Sequence, residues 1–482
     1  MVDIKFHDDS CAIFVHAGAG HHSIENQHKH LDACSKAARA GMAFLKNGSS
    51  SVDATEVALM ILEDAPITNA GYGSNLNEKG VVEGDATIVD HRGRSGAAGA
   101  VPNVKNPIML ARRIYDHSNV SLSLQQVPPN FLVGQGAKDF AWNHGVVVVP
   151  DGAMISPTSM GRWKIWTQEI ARWEREHPNI DKGETDPWIR RPLTPLSTRL
   201  ERAGLPGFPC DFQIEPESEL LNKETKIASN EVDSDSSSSS RMKDGKSLDG
   251  DLPKRQSASR EKVQHSEDTS ANPMQSAKPT PESRHTSNTQ PPSDEVDMVT
   301  DTVGVIAIDQ YGNIAAGSSS GGIGMKPAGR VGPAALLGIG TYVIPVDPYD
   351  PEQTSVAVVT SGTGEHIATT LAASTCANRI YYSQRKAEGC KFDRTTEEEA
   401  ITSMIKNEFL DHPTVGDSNI FGAIGIMAVK KTEDSIAFYF AHNTDSFAIA
   451  SMSMKDSKPA CVMSRTKRRG IIAQGGSMIR LK

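Results

Sequence analysis

The chain has 482 residues and a formal charge of −9 at pH 7, too small a charge for this length to favour nucleic acid as a partner. Its six cysteines (Cys11, Cys34, Cys210, Cys376, Cys390 and Cys461) are scattered without a CxxC pair. This argues against a disulfide framework or a cysteine-built zinc site and for a reduced intracellular setting. No run of about 18 apolar residues is present to span a membrane, and the acidic start with Asp3, Asp8 and Asp9 carries no signal-peptide pattern. A cytoplasmic or nuclear location is therefore expected. Lys254-Arg255 and the basic run Lys467 to Arg469 read as solvated faces that an import receptor could also use.

In chain order, Ala12 to His16 reads as a buried strand that runs into a glycine turn, Ala17 to Gly20. Leu31, Cys34, Ala38, Met42 and Leu45 recur at helical spacing and Gly48 marks the stop. Ser50 with Asp53 predicts a capping box for a second helix. Asn69 to Asn77 is turn material, Val81 to Val89 and Ala97 to Val101 read as strands, and Pro107 suits the first turn of a helix. Trp163 to His177 has an amphipathic helical pattern. From about Gly207 to Asp297 the chain is polar and low in complexity, with the run Asp233 to Ser240, and is expected to be a disordered tether.

Beyond the tether, Val303 to Asp309 and Asn313 to Ser318 form a hairpin pattern, and Ser355 to Thr360 is a further strand. Glu365 to Ala377 reads as one helix, and Thr395 with Glu398 caps another through Ile405. Phe421 to Lys430, Ser435 to Ala441 and Phe447 to Ser451 complete the strands. Two groups of strands flanked by helices, one on each side of the tether, predict a layered α/β sandwich to which both halves contribute.

Chemically, the informative place is Asp301-Thr302, where the tether meets a strand. A threonine hydroxyl is a poor nucleophile unless a base takes its proton, and the α-amine of an N-terminal threonine can be that base. With a reference pKa of about 7.7 to 8.0, roughly a tenth of such an amine is neutral at pH 7. The peptide bond masks it until the chain is cut. Small-residue turns lie downstream at Ser318 to Gly322, Gly329 to Gly332 and Ser361 to His366, the last entering a helix where backbone N–H groups can face an oxyanion.

The segments His16 to Gly20, Leu62 to Pro66, Asn69 to Asn77, Glu83 to Asp90, Lys105 to Pro107, Asp301 to Gly304, Ser319 to Gly322, Gly329 to Gly332 and Ser361 to His366 together resemble the plant-type asparaginase family of N-terminal nucleophile hydrolases, and within it the threonine aspartase branch. The resemblance covers about residues 11 to 115 and 300 to 375. It implies a four-layer αββα sandwich and self-cleavage between Asp301 and Thr302, with residues 1–206 and 302–482 forming the sandwich and 207–301 the linker that ends at the cut. By the same resemblance Thr302 is nucleophile and base, Ser320 its hydroxyl partner, and Ser361 and Gly362 lie at the oxyanion end. Arg330, Asn69 and Gly18 face the substrate.

Three departures bear on substrate. Ser320 stands where amidase-type members carry a threonine, and in this it resembles the aspartase branch. Small-substrate members of the family carry an aspartate after the Gly-Arg-Val-Gly turn to pair with a free α-ammonium, and here Pro333 stands there. The aspartase branch has a lysine shortly after the first glycine turn, where this chain has Asn26, with Lys29 nearest. The leading expectation is an endopeptidase that cuts protein substrates after aspartate. The alternatives are an asparaginase or isoaspartyl peptidase, and a non-catalytic scaffold. No cofactor, metal, nucleic acid or membrane is expected, and self-association as αβ or (αβ)2 is.

Overall fold

The computed structural model describes residues 10–177, 301–466, 468 and 470–481. The expected tether therefore lies outside the described residues apart from Asp301, as do Lys467 and Arg469. In chain order, β1 (Ala12–Gly20) leads to α1 (Gln27–Lys46) and α2 (Ser51–Glu63). Next come β2 (Glu83–Val89), β3 (Ser95–Pro102), α3 (Pro107–His117), β4 (Phe131–Val133), α4 (Gly134–Asn143) and α5 (Pro157–Glu176). From Thr302 follow β5 (Val303–Ile308), β6 (Ile314–Ser320), β7 (Thr341–Ile344), β8 (Ser355–Gly362), α6 (Gly364–Thr369), α7 (Ala372–Tyr381), the short hairpin β9 (Gln384–Lys386) and β10 (Phe392–Arg394), and α8 (Glu397–Ser403). A π-helical stretch, Met404–Leu410, and α9 (Pro413–Gly416) precede β11 (Ile424–Lys431), β12 (Ser435–His442), β13 (Ser446–Ser453), β14 (Ala460–Arg465) and β15 (Ala473–Arg480).

The strands form an eight-stranded sheet ordered β14-β13-β1-β5-β6-β2-β3-β4 and a five-stranded sheet ordered β15-β12-β11-β8-β7. Side chains alternate between the two faces of a strand, and the central strands here are apolar on both. Ile13 and Val15 of β1 pack with Val303, Val305 and Ala307 of β5 against α1, α2 and α3, forming one outer core. The opposite faces of the same strands, with Phe14, Ile306 and Ile308, meet Ala357 and Val359 of β8 and Met427 and Val429 of β11 between the sheets. Val356, Val358, Ile426 and Ala428 turn outward onto α7 and α8. The order of layers is helix, sheet, sheet, helix: the expected αββα sandwich. Phe14 and Phe438 stack across the two sheets with ring centroids 4.8 Å apart, and removing such a buried ring by Phe14→Ala costs about 3–5 kcal/mol.

Local signals were legible where chemistry was specific. Ser50 and Asp53 make the expected reciprocal capping box, and Pro107 opens α3. The helix expected over Glu365 to Ala377 is instead two, because Leu371 adopts φ +50° between α6 and α7. The cap of α8 sits one residue later than expected: Thr396 Oγ1 accepts the Glu399 N–H, while Thr395 Oγ1 donates to the Glu399 carboxylate. The glycine turn after His16 is part of β1, with a bulge between His16 and Ala19 and Gly18 at φ +108°. A bulge of this kind bends the strand without ending it.

Candidate active site

Five strand ends converge at one end of the sandwich. Residues Val303 and Ser319 are partners in the β5–β6 pairing, so one step further Thr302 lies opposite Ser320, and Ser320 in turn faces Asp85 of β2. His16 pairs with Gly304 on the other side of β5, which brings the bulged end of β1 beside Thr302. Ser361 enters from the second sheet: its Oγ accepts both the Thr302 N–H at 3.1 Å and the Ala19 N–H at 3.0 Å. It thus holds the nitrogen that a cut at Asp301-Thr302 would turn into an α-amine. Thr302 is buried, as are Ser320 and Ser361.

Ser320 does not hydrogen-bond Thr302 in this uncut chain; its Oγ accepts the Gly322 N–H at 3.0 Å. The imidazole of His16, wholly buried beside Gly304, is pushed down to about 3 by burial, with the Thr302 backbone pulling weakly the other way. It stays neutral near pH 7. Gly362, at φ +141°, lines an open cleft of about 400 Å³ with Ala19, Gly20, Thr363, Glu365 and Phe421 among its walls.

Asp301 itself is almost fully buried. Its Oδ2 lies 3.2 Å from His22 Nε2, and its side chain fills the space where Gly18 and Gly20 lack a side chain. A Cβ on Gly18 would stand 2.1 Å from Asp301 Cβ, and one on Gly20 would stand 2.2 Å from Asp301 Oδ1. Gly18 is therefore required by the close approach of Asp301.

Arg330 is held elsewhere. Its Nε and Nη2 both donate to Glu365 Oε1, at 2.9 and 2.8 Å. The guanidinium threads past three glycines: Cβ atoms on Gly322, Gly332 and Gly364 would lie 3.0, 2.6 and 2.4 Å from its nitrogens. Pro333 is buried beside it and lies 2.9 Å from the Cβ position of Gly364. In the uncut chain Arg330 thus pairs with Glu365, and Asp301 pairs with His22.

Asn69 is committed to structure: its Nδ2 donates to Gly322 O at 2.8 Å, its Oδ1 accepts the Asn75 N–H, and its carbonyl accepts the Gly321 N–H. It shapes the turn after Ser320. Lys29 does not reach the site either, since its Nζ donates to Asn26 at an exposed place.

Three residues escaped sequence reasoning. His22 looked like one of two histidines after a glycine turn, and only the β1–β13 pairing of Gly20 with Ser446 aims it. Lys326 is fully buried, donates to Glu83 O at 2.9 Å, and brings Nζ within 3.3 Å of the Gly322 Cβ position, making it a second cation beside Arg330. Asp85 accepts the N–H groups of Ala100 and Gly332, both at 2.8 Å, and so fastens the Arg330 loop to the first sheet. Burial pushes the Asp85 carboxyl up and the Lys326 ammonium down, while the attraction between the two opposes both shifts. A small-residue turn followed by a lone lysine was the available signal for Lys326. Among the described residues, no group of His, Cys, Asp and Glu is arranged to hold a metal ion, and no helix is long and apolar enough to cross a membrane.

Comparison with known proteins places this geometry in context. The family model described as Asparaginase matches residues 9–189 and 245–408. Among curated proteins, the chain is similar to an isoaspartyl peptidase/L-asparaginase of Danio rerio, at 39% identity over 32% of this chain and 46% of that protein. It is similar also to one of Bos taurus, at 39% identity over 36% of this chain and 52% of the relative. A probable isoaspartyl peptidase/L-asparaginase 2 of Arabidopsis thaliana is 35% identical over 32% of this chain and 46% of its own length. The matches thus span about half the length of these curated relatives. With the family match covering most of the sequence and the αββα layers in place, the chain belongs to the asparaginase family of N-terminal nucleophile hydrolases.

Proposed function

We infer that this chain is a self-processing threonine hydrolase that cuts itself between Asp301 and Thr302 and then cleaves protein substrates after aspartate. In maturation, Thr302 Oγ1 adds to the Asp301 carbonyl carbon, and its proton passes to the departing nitrogen. The C–N bond breaks, leaving an ester to the Thr302 oxygen and a free Thr302 α-amine. Water hydrolyses the ester, returning the hydroxyl to Thr302 and leaving a carboxylate on Asp301. In turnover the amine takes the hydroxyl proton, Thr302 Oγ1 attacks the substrate carbonyl, the leaving amine takes the proton, and water releases the acyl group.

Support for the nucleophile comes from Ser361 Oγ, which already holds the Thr302 nitrogen at 3.1 Å. The observation that carries the endopeptidase reading is Pro333. It is buried beside Arg330 where a small-substrate enzyme needs a carboxylate for a free α-ammonium, and the interior of a peptide has no such ammonium. Arg330 is then the fork for the aspartate carboxylate, and Ser320, Gly362 and Lys326 serve the same end of the site. The working unit is αβ or (αβ)2.

A second reading, an asparaginase or isoaspartyl peptidase acting on small substrates, is the one that the names of the relatives support better. One feature of the site favours it too: Glu365, half-exposed and bound to Arg330, offers the negative charge that Pro333 does not. Assay of the processed protein separates the two. Cleavage of peptides with an internal aspartate, without ammonia release from asparagine or turnover of an isoaspartyl dipeptide, supports the endopeptidase; the reverse pattern overturns it.

A further inference from the structure

The surroundings of Asp301 are more specific than a strand entry needs. Its carboxylate is buried 3.2 Å from His22 Nε2, with the His22 side chain at 0% and the Asp301 side chain at 2% exposure. Two glycines of β1 leave room for it, and a Cβ on either would collide with it. The histidine ring is itself aimed: Nδ1 lies 2.8 Å from Ser446 Oγ, and the backbone N–H of His22 donates to the same oxygen at 3.0 Å. Its other ring neighbour is His30 of α1, edge-on with centroids 4.3 Å apart. His22 Nε2 thus faces Asp301 Oδ2 across the 3.2 Å contact, and the Ser446 hydroxyl, whose oxygen also lies 3.2 Å from Gly20 O, sets the orientation of the ring.

We propose that His22, set by Ser446 and opened by Gly18 and Gly20, is a positioning residue for self-cleavage: it clamps the Asp301 side chain so that the Asp301 carbonyl is held against Thr302. The proposal rests on the self-processing reading above. It adds a carboxylate clamp separate from Arg330, which is occupied by Glu365 in the same uncut chain. A buried side chain adjacent to the scissile bond restricts that bond far more than an exposed one does, and a misplacement of about 1 Å can cost a hundredfold in rate. His22 acts through the side chain of Asp301.

The test follows self-cleavage of freshly purified full-length chain by intact mass over time, with circular dichroism to confirm that each variant is folded. Wild type that stays whole defeats the self-processing reading itself, independently of His22. Given cleavage in wild type, His22→Ala is expected to slow it by roughly tenfold to a hundredfold, the scale of displacing a reacting group by about 1 Å. His22→Gln, whose Nε2 can still donate, is expected to recover most of that loss. In the Asp301→Ala background, His22→Ala should add little, because the group it holds is gone. The clamp is overturned if His22→Ala cleaves at the wild-type rate, if His22→Gln is as slow as His22→Ala, or if the two substitutions slow cleavage independently.

Discussion

Two carboxylate contacts sit at the same end of this sandwich and differ in almost every physical respect. Asp301 and His22 are sealed from water and shaped by glycines of β1, whereas Arg330 meets a Glu365 that is 59% exposed. A sealed pair is little screened and is costly to break by removing one partner, while a pair open to water contributes modestly and can be exchanged for a ligand. Under the proposed function, the difference amounts to a division of labour. A contact used once, during maturation, can be buried; one that must release a product every turnover has to stay open.

The largest effect that would break this division comes from Arg330. Arg330→Gln is expected to lower kcat/KM on aspartate-containing peptides by about a hundredfold or more, the scale of removing one member of a charged hydrogen-bonded pair, as steady-state kinetics of the processed protein will show. Pro333→Asp comes next: it should raise turnover of an isoaspartyl dipeptide by about tenfold by restoring a partner for an α-ammonium, and unchanged turnover removes the support drawn from this position. Glu365→Gln sharpens the comparison further because the two substrate readings give it opposite signs. If Glu365 only competes for Arg330, KM for aspartyl peptides falls about threefold; if it binds an ammonium, KM for small substrates rises by a similar factor.

The smallest expected effect lies beneath the site. Glu63 accepts the Ser319 hydroxyl and the Ile108 N–H, and burial pushes its carboxyl from 4.5 up to about 8. The folded state then holds a proton that the unfolded chain gives up between these values. This stabilisation is complete below pH 4.5 and is lost as pH rises through about 8. Glu63→Gln keeps the accepting oxygen without the ionisation, so its melting temperature relative to wild type should climb between pH 5 and pH 8 by a few degrees. A constant difference across that range contradicts a neutral Glu63.

Much of the sandwich could be read from the chain because its central strands are apolar on both faces and its helix starts carry specific caps. Ser50 with Asp53 and Pro107 are local signals, and local chemistry decided them. The edges were harder. β14 and β15 are half-exposed, and Gly475 and Gly476 of β15 are explained only by Phe440 and Phe438 against them. α4 has two glycines and buries only Ala137 and Ala141, too weak a period to stand out. At the site, residues beside the small-residue turns were legible because strand ends carry them there. Their partners were not: His22 beside Asp301, Glu365 with Arg330 and Lys326 with the Glu83 carbonyl are contacts between segments far apart in sequence. No spacing rule reaches them.

The central claim is that Asp301-Thr302 is a bond this chain breaks for itself. Intact mass and N-terminal sequencing of purified full-length protein, beside Thr302→Ala, test it directly. The account predicts two polypeptides from wild type, one beginning at Thr302, and a single uncut chain from Thr302→Ala. Wild type that remains one chain after prolonged incubation, or a Thr302→Ala variant cut at the same bond, contradicts it.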